Sequence, residues 1–225
     1  MSQRILLLGS KGFIGTILSK YLNSQGHVVE EFDLLTGHDF RNFEVLEAII
    51  TNSKASVLVN AFGLNYAPVK KRSRENTFEL LSEFEKDFSL NVVSTFASCQ
   101  FFISSRSKGS IINFSSIYGL VSPNPQIYDG WEKPIYYGVS KAAIIHITKH
   151  LAVHHAPHFR INAIAPGGIQ NKEPSNFINK YSSLAPMGRM GRGEELVPII
   201  DMLIDERNEY MTGSVVVVDG GWTAL

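Results

Sequence analysis

Apolar residues fall into short unbroken runs, separated by stretches of helical period. Residues 3–8, QRILLL, read as a buried strand, and Ile14, Ile17, Leu18, Tyr21 and Leu22 then fall at i, i+3, i+4, i+7 and i+8, one face of a helix that Gly26 ends. A second strand follows over His27–Asp33, a helix over about 42–51, and a buried strand over Ser56–Asn60. Residues 64–75 predict an exposed loop, and 75–106 one long helix or two consecutive ones. The run Ile111-Ile112-Asn113-Phe114 is a strand that breaks at Ser115-Ser116. Ile144, Ile147 and Leu151 stripe a helix over about 136–156. Arg160–Gly168 reads as a strand and then a turn, 170–188 as a polar flap predicted to be flexible, Glu194–Leu203 as a helix with Pro198 in its first turn or at a kink, and Ser214–Val218 as a last strand. Strands that are apolar throughout, interleaved with helices, predict a Rossmann-type doubly wound parallel sheet of about seven strands with helices on both faces. Such sheets bind ligands at the carboxyl ends of their strands, where Asp33, Asn60–Gly63, Ser116 and Pro166-Gly167 all fall.

Composition narrows the class. A chain of 225 residues with 44% hydrophobic content suits one α/β domain over 1–225, without repeats or linker. Lys+Arg and Asp+Glu are 21 each, a balance that argues against a general nucleic-acid or anionic-membrane binder. Cys99 is the single cysteine, so no internal disulfide forms, and its place in an apolar helix predicts a buried, inert thiol. The apolar run Ile5–Leu8 is too short for a signal peptide core or a membrane span, and the expectation is a soluble cytoplasmic protein.

The chemistry concentrates in a few places. Gly9-Ser10-Lys11-Gly12-Phe13-Ile14-Gly15 sits between a strand and a helix, the context in which glycines let a backbone approach a pyrophosphate at a helix N-terminus. Its Gly-x-x-Gly-x-x-Gly spacing departs from Gly-x-Gly-x-x-Gly. Asp33, at the end of the second strand, is placed to accept a ribose hydroxyl and repel a 2′-phosphate, which favours NAD(H); Lys11 pulls towards NADP(H), the alternative. Asp39, with Phe40 beside it, is placed to cap the next helix, to touch the adenine, or both. Tyr137 and Lys141 lie one helical turn apart, and a fixed ammonium there is expected to lower the phenol's pKa, with the Ser116 hydroxyl steadying the same reacting oxygen. Asn91, amid apolar neighbours, needs hydrogen-bond partners. Lys70, Lys71, Arg72 and Arg74 form a basic cluster, a solvated surface or a landing site for an anionic group. His146, His150 and His154 share a helix face, read as a partly buried or subunit-contact stripe, and no metal is expected.

Together these motifs resemble the short-chain dehydrogenase/reductase family, in the family's order and over nearly the whole chain. The resemblance carries Gly9–Gly15 to the cofactor loop, with glycine spacing nearer the extended branch. Asn60-Ala61-Phe62-Gly63 is similar to the segment that braces the central sheet, Asn113-Phe114-Ser115-Ser116-x-x-Gly119 to the serine segment, and Tyr137-x-x-x-Lys141 to the catalytic pair. Pro166-Gly167 and Val218-Asp219-Gly220-Gly221 complete the set. It implies a catalytic set of Asn91, Ser116, Tyr137 and Lys141: Tyr137 as general acid/base, Lys141 lowering its pKa and holding the nicotinamide ribose, Ser116 on the substrate oxygen, and Asn91 fixing a water between Lys141 and solvent. Cofactor contacts would come from Gly9–Gly15, Asp33, Asp39, Phe40, Asn60–Gly63, Tyr137, Lys141, Pro166, Gly167 and Ile169. The family's usual Thr after Pro-Gly is missing, which leaves Asn171 or its neighbours to serve.

Ser116 and Tyr137 are further apart than the family's usual dozen residues, which makes 120–135 an inserted loop at the crevice mouth, stiffened by Pro123, Pro125 and Pro134. Tyr128, Trp131, Asp129 and Glu132 offer stacking and hydroxyl acceptors that suit a sugar ring; the alternative is a loop that packs on a neighbour. Substrate contacts are expected from Ser116, Tyr128, Trp131 and Gly168. The Ser-Ile-Tyr-Gly segment, this loop and the Val-Asp-Gly-Gly-Trp ending also resemble a bacterial branch that modifies sugars for surface glycans and flagellin. The implied activity is interconversion of a secondary alcohol and a ketone on a sugar, sugar phosphate or nucleotide sugar. A 3-oxoacyl or small-ketone reductase and a non-catalytic dinucleotide-binding regulator are the rivals. By analogy the chain forms a homodimer or homotetramer.

Overall fold

The computed structural model of the protein describes residues 2–70 and 77–225. In chain order the strands are β1 (Arg4–Leu8), β2 (Val28–Phe32), β3 (Val57–Asn60), β4 (Val69–Lys70), β5 (Gly109–Phe114), β6 (Trp131–Glu132), β7 (Phe159–Pro166) and β8 (Val215–Val218). The helices are α1 (Phe13–Ser24), α2 (Phe43–Asn52), α3 (Thr77–Asp87), α4 (Thr95–Ser104), α5 (Ile135–His155), α6 (Ser175–Leu184) and α7 (Val197–Ile204). Six strands form one parallel sheet in the order β2-β1-β3-β5-β7-β8. Chain order reverses at β1 and β3, so a crevice opens beyond their carboxyl ends.

The sheet is one strand short of the expected seven. Only Asp33–Asn42 links β2 to α2, and this segment is a capped turn in which the Asp33 carboxylate accepts the Leu35 N–H at 2.9 Å. No further strand and helix fit into it, and β2 stays at the sheet edge.

The unbroken apolar strands are explained by two packed faces. Side chains alternate along β1, so Leu6 and Leu8 join Leu46, Ile50, Phe102 and Leu151 on one side. Ile5 and Leu7 join Leu18, Leu22, Ile200 and Leu203 on the other. All are buried, each such side chain contributing about 1.5–3 kcal/mol.

Between these apolar layers runs a buried polar braid. Asn60 on β3 lies opposite Asn113 on β5, and its Nδ2 donates to Asn113 Oδ1 at 2.8 Å. Ser98 of α4 donates to Asn60 Oδ1 at 3.0 Å, and Asn113 Nδ2 donates to Thr148 of α5 at 3.0 Å. Two central strands and two helices are thereby fixed in register. Cys99 lies inside the same cluster, fully buried, and burial pushes its thiol up to about 12, as an inert core cysteine requires.

Phe88–Ser94 is a π-helical turn that joins α3 to α4, so the two helices are consecutive. A π turn inserts one residue into the helical ladder, and here it holds Asn91 fully inward. Pro134 stands just before α5 and Pro198 in the first turn of α7, where a missing N–H costs nothing.

The inserted loop does pack on a neighbour. β6 pairs antiparallel with β4. Ile127 and Tyr128 are buried with Tyr181, Ala185 and Met190, and Asp129 forms an ion pair with Lys180 of α6. The 170–188 flap thus contains a helix that clasps the insertion.

Replacing Asn113 by Ala strips Asn60 Nδ2 of its acceptor and Thr148 of its donor at a buried site. The expected loss is about 1–3 kcal/mol, read as a lower urea midpoint with an unchanged m value.

Candidate functional site

The first turn is built for close approach of a ligand to backbone. Gly9 has φ +91°, and a Cβ there would stand 2.4 Å from the Phe62 nitrogen. A Cβ on Gly15 would stand 1.9 Å from the Gly9 carbonyl oxygen. Gly12 caps α1 without a side chain, so the first N–H groups of that helix, from Phe13 onwards, have no capping side chain. The Ser10 hydroxyl is buried without a partner. Free amides at a helix N-terminus, a glycine-lined cradle and an unsatisfied hydroxyl fit a diphosphate.

Asp33 ties this turn to β2: its Oδ2 accepts the Lys11 N–H at 3.0 Å. The Lys11 ammonium points to Glu31 instead, with an ion pair of 3.0 Å. Asp39 binds Arg41 at 2.6 Å, and α2 is capped by Asn42, which accepts from the Glu44 and Val45 N–H groups. The capping expected of Asp39 therefore falls to Asn42, because the Asp39 carboxylate is spent on Arg41. Phe40 is buried in the core against Phe62, ring centroids 4.9 Å apart.

Beyond the ends of β5 and β7 lies a cavity of about 430 Å³. Ser116 and Tyr137 line it together, with Phe13, Ile14, Pro166, Gly167, Gly168 and Ile169 from the turns expected at a cofactor. Ser116 caps a short 3-10 turn and accepts the Tyr118 N–H at 3.2 Å, which fixes its side chain. It sits close enough to Tyr137 to pull the phenol's pKa down, against burial, which dominates and holds it above its ordinary value; the charge of Asp87 pushes the same way as burial. The expected lowering of Tyr137 by Lys141 does not prevail. Lys141 Nζ lies 5.8 Å from the Tyr137 ring centroid and donates to the Phe114 carbonyl at 3.1 Å. Burial brings Lys141 itself down to about 8, with Asp87 opposing.

Asn91 stands behind this pair. Its Oδ1 accepts the Leu64 N–H at 2.8 Å and its Nδ2 donates to Asp87 Oδ1 at 2.7 Å. Gly63 has φ +148°, and a Cβ there would meet Asn91 Oδ1 at 3.0 Å and Lys141 Nζ at 3.4 Å. Asp87 is fully buried, and burial raises its carboxyl although Ser140, Lys141, Tyr66 and Asn91 all draw it down. The arrangement offers a phenol and a hydroxyl at the cavity floor, with an ammonium and a carboxyl behind them. A proton can therefore be taken from, or given to, an oxygen in the cavity.

The upper wall is aromatic. Tyr118 and Tyr128 share a hydrogen bond of 2.8 Å, and burial lifts Tyr128 to about 12. Tyr181 accepts the Gly168 N–H at 2.8 Å and stacks on Trp222 at 4.3 Å. Asn171 lines the cavity as well. Trp131 does not: it is exposed, with Lys70 Nζ 5.7 Å above its ring. Lys71, Arg72 and Arg74 lie outside the described residues. His150 and His154 stack on the exposed side of α5, and among the described residues no His, Cys, Asp and Glu side chains gather as a metal site.

Two residues escaped the sequence reading. Asp87 lies one helical turn before Asn91, a spacing that could have flagged it. Lys133, last residue before Pro134, enters the cavity with its ammonium 4.4 Å from the Tyr137 ring centroid. A charged residue just before the helix that carries Tyr137 was the available signal.

A family model described as Enoyl-(Acyl carrier protein) reductase matches residues 39–223. The 3-oxoacyl-(acyl-carrier-protein) reductase FabG of Thermotoga maritima is 31% identical over 184 residues, 79% of this chain and 70% of that protein. Post-translational flagellin modification protein A of Campylobacter coli is 32% identical over 124 residues, 54% of this chain and 48% of that protein. A short-chain dehydrogenase from Leptospira borgpetersenii serovar Hardjo-bovis, solved with bound NAD+, is 30% identical and superposes with a TM-score of 0.86, over 99% of this chain and 93% of that one. Solved neighbours of lower identity, some with NADP bound, share the fold. A family match from 39 to 223 on a parallel sheet of this order leaves one conclusion: the chain belongs to the short-chain dehydrogenase/reductase family of oxidoreductases.

Proposed function

We propose that the chain works as one dinucleotide-binding catalytic domain that interconverts a secondary alcohol and a ketone on a sugar, sugar phosphate or nucleotide sugar, using NAD(H). The observation that carries this reading is the convergence of Ser116 and Tyr137 on one cavity that also receives Gly167–Ile169 and the start of α1. When bound, the nicotinamide takes up or returns the hydride. The amides of Gly9–Gly15 would hold the pyrophosphate, Asp33 a ribose hydroxyl, Asn60–Gly63 the middle of the cofactor, and Pro166, Gly167 and Ile169 the nicotinamide. In the oxidising direction the substrate hydroxyl gives its proton to the Tyr137 oxygen as its carbon loses hydride and the C=O bond forms. Ser116 would hold that oxygen throughout, and the Lys141 ammonium, with Asn91 and Asp87 behind it, would favour the deprotonated Tyr137 oxygen that takes the proton.

The preference for NAD(H) rests on Asp33 at the end of β2 and on Glu31, which pairs with Lys11, the cation of the glycine loop. The aromatic wall of Tyr118, Tyr128 and Tyr181 supports a ring substrate, and the flagellin-modification relative agrees with the branch whose segments this sequence resembles. A reductase of 3-oxoacyl groups is the second reading, favoured by the Thermotoga relative. Exposed Val93, Phe96, Val139 and Val153 on the helices around Asn91 and Tyr137 support a homo-oligomer. Among the described residues no helix is long and apolar enough to cross a membrane, and we place the protein in the cytoplasm.

Titration with NADH and NADPH, then a substrate screen of sugars, sugar phosphates, nucleotide sugars and acyl thioesters, tests the reading; turnover of thioesters alone would move the assignment to the second one. Tyr137→Phe is expected to lower kcat by about 10²–10⁴ with NADH binding retained. Should the variant keep full turnover, the acid/base role is wrong. Glu31→Gln frees Lys11, and the NADPH-over-NADH ratio of dissociation constants is expected to fall about tenfold, the worth of one charged contact. Asp87 holds Lys141 up, so Asp87→Asn lets Lys141 lose its proton at lower pH. Oxidation that needs the ammonium should then lose its alkaline limb at lower pH than in the wild type, measured as kcat/KM against pH.

A further inference from the structure

Lys133 is an unusual group to find in a cavity of this kind. Its ammonium donates to Asn65 Oδ1 at 2.7 Å and to the Tyr66 carbonyl, both neutral acceptors. An ammonium has three N–H donors, and these two contacts leave one for the cavity. Among the described residues no carboxylate pairs with it. Glu173, the acid whose charge reaches it, is turned to the Asn171 N–H at 2.6 Å. Lys141, 5.8 Å from the same ring centroid, adds a second positive charge, and Lys172 adds a third at the wall, where Glu173 also stands. Desolvation and repulsion from Lys141 bring Lys133 down to about 8. A cation drawn largely out of water, with only the more distant charge of Glu173 to offset it among the described residues, is costly, and an anion arriving in the cavity lowers that cost.

We propose that Lys133 reads an anionic substituent, a carboxylate or phosphate, on a hydroxylated substrate whose carbinol lies against Ser116 and Tyr137. The inference rests on the alcohol–ketone reading above and adds the charge of the substrate to it. A compact lysine ammonium suits either anion as a point charge. The anion sits close to the reacting carbon, because Lys133 Nζ is 4.4 Å from the centre of the ring whose oxygen does the proton transfer. A volume of about 430 Å³, to be shared with a nicotinamide, favours a monosaccharide acid or monosaccharide phosphate over a nucleotide sugar. The insertion then has a function beyond packing: its Tyr128 supplies a ring face and its Lys133 the charge.

Matched substrates test this directly. Gluconate and glucuronate are compared with glucitol and glucose, and glucose 6-phosphate with glucose, in the wild type, Lys133→Met and Lys133→Gln. Gln keeps a donor for Asn65 and the Tyr66 carbonyl and removes only the charge, and NADH binding reports that each variant is folded. The wild type should prefer the anionic member of a pair. In both variants that preference, the ratio of kcat/KM values, should fall about ten- to a hundredfold through KM. Preference for the carboxylates or for the phosphate decides which anion is read. A wild type with no preference for charge, or a Gln variant that keeps the full preference, overturns the proposal.

Failure of the underlying reading is separable. Thermal shifts with the same acids in the presence of NADH need no turnover. A shift present in Tyr137→Phe and absent in Lys133→Gln upholds the anion site even if no alcohol is oxidised. Equal shifts in the wild type and Lys133→Gln refute it.

Discussion

Lys141 carries its ammonium into a place that water scarcely reaches, and the structure around it is arranged to hold it there. The Phe114 carbonyl, at the carboxyl end of β5, accepts one of its protons at 3.1 Å. Ser115 Oγ donates to the Lys141 carbonyl at 2.7 Å and fastens α5 to the same strand end. From the opposite side come Asn91 and Asp87, turned inward by the π turn between α3 and α4. A buried ammonium without these partners would lose its proton or expel itself. The strand, two helices and their polar contacts are therefore one unit, and the Tyr137 phenol takes its position from it.

The same low-polarity setting explains why charge effects compete so closely. Burial raises Tyr137 and Asp87 and lowers Lys141, while the Asp87–Lys141 attraction and the hydrogen bonds to Tyr137 and Asp87 act in the other direction. Groups balanced in this way change protonation with small changes in surroundings, which is what proton transfer at neutral pH requires. Sequence spacing showed the Tyr–Lys pair but could not weigh desolvation against attraction, because desolvation depends on what covers the pair.

The insertion and the 170–188 flap form a second unit. Ile127 and Tyr128 from one, and Tyr181 from the other, share an apolar cluster, and the Lys180–Asp129 ion pair spans them. Tyr181 also accepts the Gly168 N–H and stacks on Trp222, which connects the flap to the turn after β7 and to the end of the chain. Tyr128, Tyr181 and the extra lysine of the cavity thus come from connecting segments outside the sheet.

Local pattern alone determined a great deal. Apolar runs long enough for strands, a helix period after each, and glycines or serines at the strand ends specified a parallel sheet and placed the reactive residues at one edge of it. That information is local, because strand and helix periods are properties of neighbouring residues. Tertiary structure decided the rest. The sheet stops at six strands because Asp33–Asn42 closes on itself through its own caps. Phe40 turns into the core and Trp131 stays outside the cavity. Lys133 meets Asn65 and the Tyr66 carbonyl, and Asp87 faces Lys141 where α5 packs on the π turn. Such meetings depend on contacts between residues far apart in the chain, where hydrophobic period carries no signal.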